Sequence, residues 1–171
     1  MEPLRFASND NNSKHMKCRK CNIIGILLLT TLFGLVYLSY QNKQDLQSHF
    51  EQEVISINGY QLNVDVVTTA KDQARGLAGK SDLADDYGMW FVFDNSQVRQ
   101  FWMRDMLVPI DIIWIDGDII IGFIDSVQPE TDTPIHELKL YSSEIAVDKV
   151  LEVRAGLRIE KDWDVGTKID L

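Results

Sequence analysis

The segment from residue 101 to residue 116 is unusually rich in side chains that could do chemistry. Within an apolar background it holds two tryptophans, one arginine and three aspartates: Trp102, Trp114, Arg104, Asp105, Asp111 and Asp116. An indole ring offers a flat face for stacking, and a guanidinium can hold a carboxylate or a phosphate through two hydrogen bonds. This segment is therefore the first candidate for a functional site.

Arg75, Trp102, Arg104 and Trp114 are the candidate ligand-binding residues. If Trp102 and Arg104 share one face of a strand, at the two-residue period of strands, they form a surface of one indole and one guanidinium, and Met103 points the other way. Such a surface suits a sugar ring or a peptide. The alternative is that both tryptophans pack in the hydrophobic core.

Asp105, Asp111 and Glu152 are the candidate catalytic residues, because these carboxylates fall near apolar sequence. Two carboxyl groups in different environments can divide the roles of acid and base between them. Asp111 lies among isoleucines, where a charge needs a partner to persist. The alternative for Asp111 is therefore a structural ion pair with Arg104 or Arg75.

The chain contains no motif of the other common catalytic or metal-dependent mechanisms. The sequence lacks a nucleophile elbow, a zinc-protease helix, a phosphate-binding loop and a dinucleotide fingerprint. Asp116-Gly117-Asp118 begins like a calcium loop but lacks the later ligands, and a hairpin turn accounts for it. We therefore predict no cofactor and no metal site; an acidic metal-binding domain is the weakest alternative.

The net charge of −9 is distributed unevenly along the chain. Residues 1–40 carry five basic and two acidic side chains, or about +3, which leaves about −12 for the remainder. Nucleic acid is a poor partner for so acidic a domain, because binding it requires basic contacts that replace counterions. No nucleic acid is therefore expected among the partners.

Residues 23–40 are apolar and uncharged, about the minimum length for crossing a bilayer core of roughly 30 Å. The basic residues before them predict a cytoplasmic segment at 1–22 and a single-pass signal anchor in the cytoplasmic (inner) membrane, with the rest of the chain extracytoplasmic. A cleaved signal peptide is the alternative, but Leu38-Ser39-Tyr40-Gln41 is a poor cleavage site. Cys18 and Cys21 precede this segment, so the domain beyond it has no disulfide.

After a linker at residues 41–53, the pattern predicts a mainly β (α+β) domain over residues 54–171. Asn58-Gly59 and Asp116-Gly117 are hairpin turns, and Thr69 with Asp72 has the spacing of a helix cap. The predicted strands cover residues 54–57, 60–66, 88–93, 98–104, 110–115, 119–124, 147–155 and 167–171. Closely spaced strands with one short helix predict a compact barrel-like or sandwich domain.

Four segments in order resemble the DUF192 family (also called UPF0127). They are Arg75-Gly76-Leu77 with Leu83, then residues 88–93, then Phe101-Trp102-Met103-Arg104 through residue 113, and residues 150–153 with Ala155-Gly156. The third segment is the most specific. The resemblance implies a small β-rich barrel-like domain, often behind a signal peptide or anchor, and supplies no catalytic residue or cofactor.

This chain departs from the family pattern at three positions. A basic residue followed by Asn is usual after the Met of the third segment, and here Arg104-Asp105 stands instead. Ala78 replaces a Met, and Thr167 replaces an Asp in the closing turn. Any role that depends on those family side chains does not carry over.

These observations favour a membrane-anchored, non-enzymatic binding or assembly module. Its partner would be an envelope protein or glycan, bound by the surface around Trp102, Arg104 and Arg75. The alternative is a carboxylate-dependent hydrolase acting on an envelope glycan, which requires two carboxylates converging on one concave pocket.

Overall fold

The computed structural model describes residues 33–34 and 50–171. Phe33 and Gly34 are helical and exposed. The predicted cytoplasmic segment, most of the predicted anchor and linker, and both cysteines lie outside the described residues. Within the described residues, no helix has both the length and the apolar character to span a membrane.

Residues 50–171 contain nine strands and two short helices. The strands are β1 (Glu51–Ile57), β2 (Tyr60–Val67), β3 (Tyr87–Gln97), β4 (Gln100–Phe101), β5 (Ile110–Asp116), β6 (Ile119–Val127), β7 (Tyr141–Ser142), β8 (Val147–Arg154) and β9 (Ile169–Asp170). The helices are α1 (Ala70–Arg75) and α2 (Leu157–Glu160). The mainly β prediction is confirmed.

Local sequence signals set the first hairpin and the first helix. Asn58 and Gly59 both have positive φ, 52° and 78°, as the hairpin turn requires. Strand β2 then pairs in parallel with β3, so the connection must cross the sheet, and it carries α1. Thr69 caps α1, because its Oγ1 accepts a hydrogen bond of 3.2 Å from the backbone N–H of Asp72.

The large sheet has the strand order β6-β5-β8-β3-β2-β1-β9, and its neighbours are antiparallel except for β2 and β3. Its two ends meet, because Lys168 beside β9 bridges Ile119 in β6. The backbone N–H of Ile169 also donates to the carbonyl of Asp118 at 2.8 Å. The sheet therefore curls into the barrel-like domain that the sequence predicts.

Apolar side chains cover both faces of this sheet. One cluster draws on every strand of the large sheet and includes Trp90, Ile113, Leu151 and Trp163. The second lies on the opposite face, where residues such as Met89, Phe91 and Ile112 pack against side chains from the connecting segments. Strand β5 is buried from Ile110 to Ile115, because it is covered on both sides.

Candidate functional site

A cleft of about 500 Å³ opens on the second face of the sheet. The end of α1 and the segment around β4 form its walls, and β8 contributes to its floor. The lining includes Arg75, Arg99, Phe101, Trp102, Arg104 and Glu152. Clefts of about 300–1,000 Å³ with a few converging polar groups are typical of small-molecule sites.

Glu152 is the buried acid of this cleft. It lies in β8 between Met89 of β3 and Ile112 of β5, so its side chain enters an apolar layer. The residue is 5% exposed, and its Oε2 accepts no hydrogen bond from the described residues. Burial raises the pKa of Glu152 from 4.5 to about 8. The carboxyl group is therefore mostly protonated at pH 7 and can donate a hydrogen bond.

Gly76 lets the chain turn directly over this acid. It ends α1 with φ +51° and ψ −139°, and its N–H donates to the carbonyl of Asp72 at 2.8 Å. A Cβ at this position would lie 3.5 Å from Glu152 Oε2 and 3.5 Å from Phe91 Cζ. The backbone conformation, more than the space, requires glycine here. The residues on either side of the glycine, Arg75 and Leu77, also line the cleft.

The segment from Phe101 to Met106 forms the opposite wall. Phe101 packs edge-on against Phe91 and Trp114, with ring centroids 5.0 and 5.6 Å apart. Met103 and Met106 are buried on the sheet, while Trp102 is 38% exposed. Because Met103 anchors the segment, Trp102 and Arg104 on either side of it line the cleft.

Arg99 adds a guanidinium that the sequence analysis did not single out. It lies 3.9 Å from the centre of the Phe93 ring and donates to the carbonyl and the side-chain oxygen of Asn95 at 2.6 and 2.8 Å. Its Nε is buried and donates to no acceptor within residues 50–171. Burying a polar group without a partner costs about 1–3 kcal/mol of folding stability. Among the described residues, the cleft contains two such groups, Arg99 Nε and Glu152 Oε2.

Most of the chain matches the model of one known protein family. The DUF192 family, described as "Uncharacterized ACR", matches residues 53–171, well over half of the chain. The chain belongs to the DUF192 family. Three of the segments that carry the resemblance, at residues 75–77, 101–104 and 150–153, each contribute lining residues to the cleft.

Two solved structures share the fold of this DUF192 domain. One is a proposed transcription regulator from Sinorhizobium meliloti 1021, with 20% identity and a TM-score of 0.64, covering 71% of this chain and 94% of that chain. The other is a protein of unknown function from Novosphingobium aromaticivorans DSM 12444, with 22% identity and a TM-score of 0.66, covering 73% of this chain and 89% of that chain. No curated protein matches the sequence significantly.

Asp111 of the DUF192 domain is a structural carboxylate. It is fully buried and accepts hydrogen bonds from the backbone N–H groups of Ser126, Gly156 and Arg158 at 2.8, 3.1 and 3.1 Å. The partners of this carboxylate are backbone amides, whereas the structural alternative drawn from the sequence was an ion pair with Arg104 or Arg75. The reason is the chain path, which turns at Ser126 and Gly156 with positive φ and aims their N–H groups at the carboxylate.

The remaining candidates lie apart from Glu152. The Asp105 side chain is 74% exposed, lies 3.3 Å from Arg104 and lines a second cleft beside Glu130. Trp114 is buried beneath Phe101 and supports the first cleft without lining it. Among the described residues, Glu152 is the only acidic side chain of the first cleft, and no group of three potential metal ligands occurs in that part of the chain.

Proposed function

We propose that this DUF192 protein is a membrane-anchored, extracytoplasmic binding or assembly module, without catalytic activity, for an envelope protein or glycan. The observation that carries the proposal is the cleft in which Arg75, Trp102 and Arg104 lie around a buried acid. An exposed indole beside guanidinium groups offers both a stacking surface and charge-assisted hydrogen bonds. Two of the lining residues, Arg99 and Glu152, also have a buried polar atom without a hydrogen-bond partner among the described residues.

The composition of the cleft favours binding over hydrolysis. A carboxylate-dependent glycan hydrolase needs two carboxyl groups flanking the scissile bond. Of the three candidate acids, Glu152 lines the cleft, Asp111 is held by backbone amides, and Asp105 faces a different cleft. The binding proposal needs no second acid.

The anchor is supported by the sequence of the first 40 residues. An uncharged apolar run at residues 23–40 follows a basic segment, which is the pattern of a single-pass anchor with its N-terminus in the cytoplasm. We expect the full chain to remain with the membrane fraction after high-salt and alkaline washes, and a chain lacking residues 1–42 to be released. Recovery of the full chain in the soluble fraction would contradict this part of the proposal.

Substitution of the cleft wall tests the binding role. The full chain, purified in mild detergent, is incubated with isolated cell-wall glycan and with solubilised membrane proteins. Trp102→Ala with Arg104→Ala is expected to weaken binding to whichever pool the wild type binds at least about tenfold. A stacked aromatic ring is worth about 0.5–1.5 kcal/mol, and a hydrogen bond to a charged group about 1.5–3 kcal/mol.

Ile159→Ala with Lys168→Ala is the matched control, because it also removes one exposed apolar and one exposed basic side chain. Neither residue lines the cleft. The control should bind like the wild type. Equal binding by the cleft variant, or no binding of either pool by the folded wild type, would refute the proposed role.

A further inference from the structure

The floor of the cleft contains groups that are prepared for a polar ligand. The carboxyl group of Glu152 is buried and aimed into the cleft, with one oxygen that accepts no hydrogen bond. The buried Nε of Arg99, in the same lining, also lacks an acceptor in the described part of the chain. Buried polar groups are normally paired, so two exceptions in one cleft indicate a place where a ligand completes the hydrogen bonding.

The charge of the cleft is opposite to that of the protein. Three guanidinium groups, from Arg75, Arg99 and Arg104, line it, whereas the whole chain carries a net charge of −9. Arg75 and Arg99 also have other contacts, and Arg104 lies 3.3 Å from Asp105. A local basic site in an acidic protein attracts an anionic group, while the acidic surface around the site repels anions.

A carboxylate suits this site better than a phosphate. A planar carboxylate matches the two-pronged geometry of guanidinium and can accept a hydrogen bond from a protonated carboxyl group. The end of α1 that reaches the cleft is its C-terminal end, at Arg75 and Gly76, where the unpaired groups are carbonyls. Carbonyl oxygens at that end disfavour a dianion more than a single charge.

The aromatic wall indicates what the carboxylate is attached to. Trp102 presents part of its ring to solvent at 38% exposure, and Phe101 lies beside it in the same lining. A partly exposed indole next to hydrogen-bonding groups suits a sugar ring, which has apolar C–H faces and polar edges. A peptide strand would seek an open sheet edge, and the two ends of the large sheet are joined to each other near Ile119 and Lys168.

We propose that the cleft binds a carboxylate-bearing sugar unit of an acidic glycan, with its carboxylate among the arginines, its ring against Trp102 and one of its oxygens bonded to Glu152. This inference rests on the proposed binding function and names its ligand class. It has a consequence for pH, because burial raises the pKa of Glu152 to about 8. Above that pH a second negative charge appears beside the bound carboxylate.

Three arginines and Tyr87 are the other charged or titratable groups around Glu152. Arg75, Arg99 and Arg104 line the same cleft, and guanidinium groups are cations. Tyr87, whose pKa is raised by burial and by its hydrogen bond to Asp65, stays neutral. A change in binding near pH 8 therefore reports on Glu152.

The test uses the full chain in detergent, titrated with an oligogalacturonate, with a neutral oligosaccharide of the same length and with inorganic phosphate. The acidic oligosaccharide should bind at least about tenfold more tightly than either control at pH 6.5, and Arg104→Gln should remove most of that preference. Between pH 6.5 and pH 9 wild-type affinity should fall about tenfold, and Glu152→Gln should change by less than about twofold.

The outcomes distinguish a failure of this inference alone from a failure of the proposed function. Equal binding of the acidic and neutral sugars, tighter binding of phosphate, or an unchanged pH dependence in Glu152→Gln would overturn the carboxylate-sugar assignment. If the cell-wall or membrane-protein pool still binds through Trp102 and Arg104, the module role survives that result. If the folded chain binds none of these ligands, both proposals fail together.

Discussion

Glu152→Gln is expected to stabilise the domain at pH 9, relative to its effect at pH 5, by about 4 kcal/mol. Burial raises the pKa of Glu152 from 4.5 to about 8 in the folded protein. The folded state therefore holds this proton more tightly than the unfolded chain does. The contribution to stability is complete below about pH 4.5 and is lost progressively as the pH rises to about 8. Glutamine cannot ionise and removes that loss.

Urea unfolding followed by tryptophan fluorescence at pH 5, 7 and 9 measures this effect. Glu160→Gln is the control, because Glu160 is an exposed acid whose pKa is lowered by its hydrogen bond to Arg154. The control should keep the wild-type decline in stability between pH 5 and pH 9. A decline of the same size in Glu152→Gln would show that Glu152 is ionised in the folded protein at pH 7.

Asp111→Ala is expected to lower the free energy of unfolding by about 3 kcal/mol or more. The substitution leaves the N–H groups of Ser126, Gly156 and Arg158 without their acceptor. It also loosens the start of α2, where the guanidinium of Arg158 holds Asp125 and lies 3.7 Å from the centre of the Phe123 ring. The loss should therefore reach beyond the three hydrogen bonds themselves.

The same urea experiment at pH 7 compares Asp111→Ala with Asp118→Ala. Asp118 has a half-exposed side chain, and its ion pair is with the exposed Lys168 at 3.6 Å. A surface pair of this kind contributes about 0–1 kcal/mol, so Asp118→Ala should change stability little. Similar, small losses in both variants would contradict the structural role assigned to Asp111.

The sequence predicts the elements of this fold well where the signal is local. Asn58-Gly59 specifies the first hairpin, and Thr69 with Asp72 specifies the start of α1. The alternation along residues 60–66 matches the observed strand β2. The two ends of the sheet join through Lys168 and Ile119, which are far apart in the sequence. The family resemblance therefore predicts the barrel-like domain better than periodicity does.

Prediction is weaker where tertiary contacts override the local pattern. The strand predicted at residues 98–104 is reduced to Gln100–Phe101, because Asp105 turns the chain with φ +56° and Met103 and Met106 bury themselves on the sheet. Helix α2 spans only Leu157–Glu160, which is too short to produce a periodic signal. Its first turn nonetheless supplies the amide of Arg158 to Asp111.

The candidate site also combines features that the sequence predicts with features that depend on tertiary contacts. Arg75, Trp102, Arg104 and Glu152 can be selected from the sequence by residue type, and the structure brings them to one cleft. Their meeting depends on the crossover between β2 and β3 and on strand register, which sequence alone does not fix. The sequence does not indicate Arg99 as a site residue, because what marks Arg99 is its buried Nε and not its neighbours in the chain.

The central claim, that this cleft is the binding site, is tested most directly by the indole N–H signals of the four tryptophans. The full chain is labelled with ¹⁵N-tryptophan, and Trp102→Phe assigns the signal of Trp102. On addition of soluble cell-wall glycan fragments or oligogalacturonate, the Trp102 signal should shift in a saturable way. The signal of Trp163, buried in the other core cluster, should stay in place. Saturable binding that leaves the Trp102 signal unmoved would contradict the account.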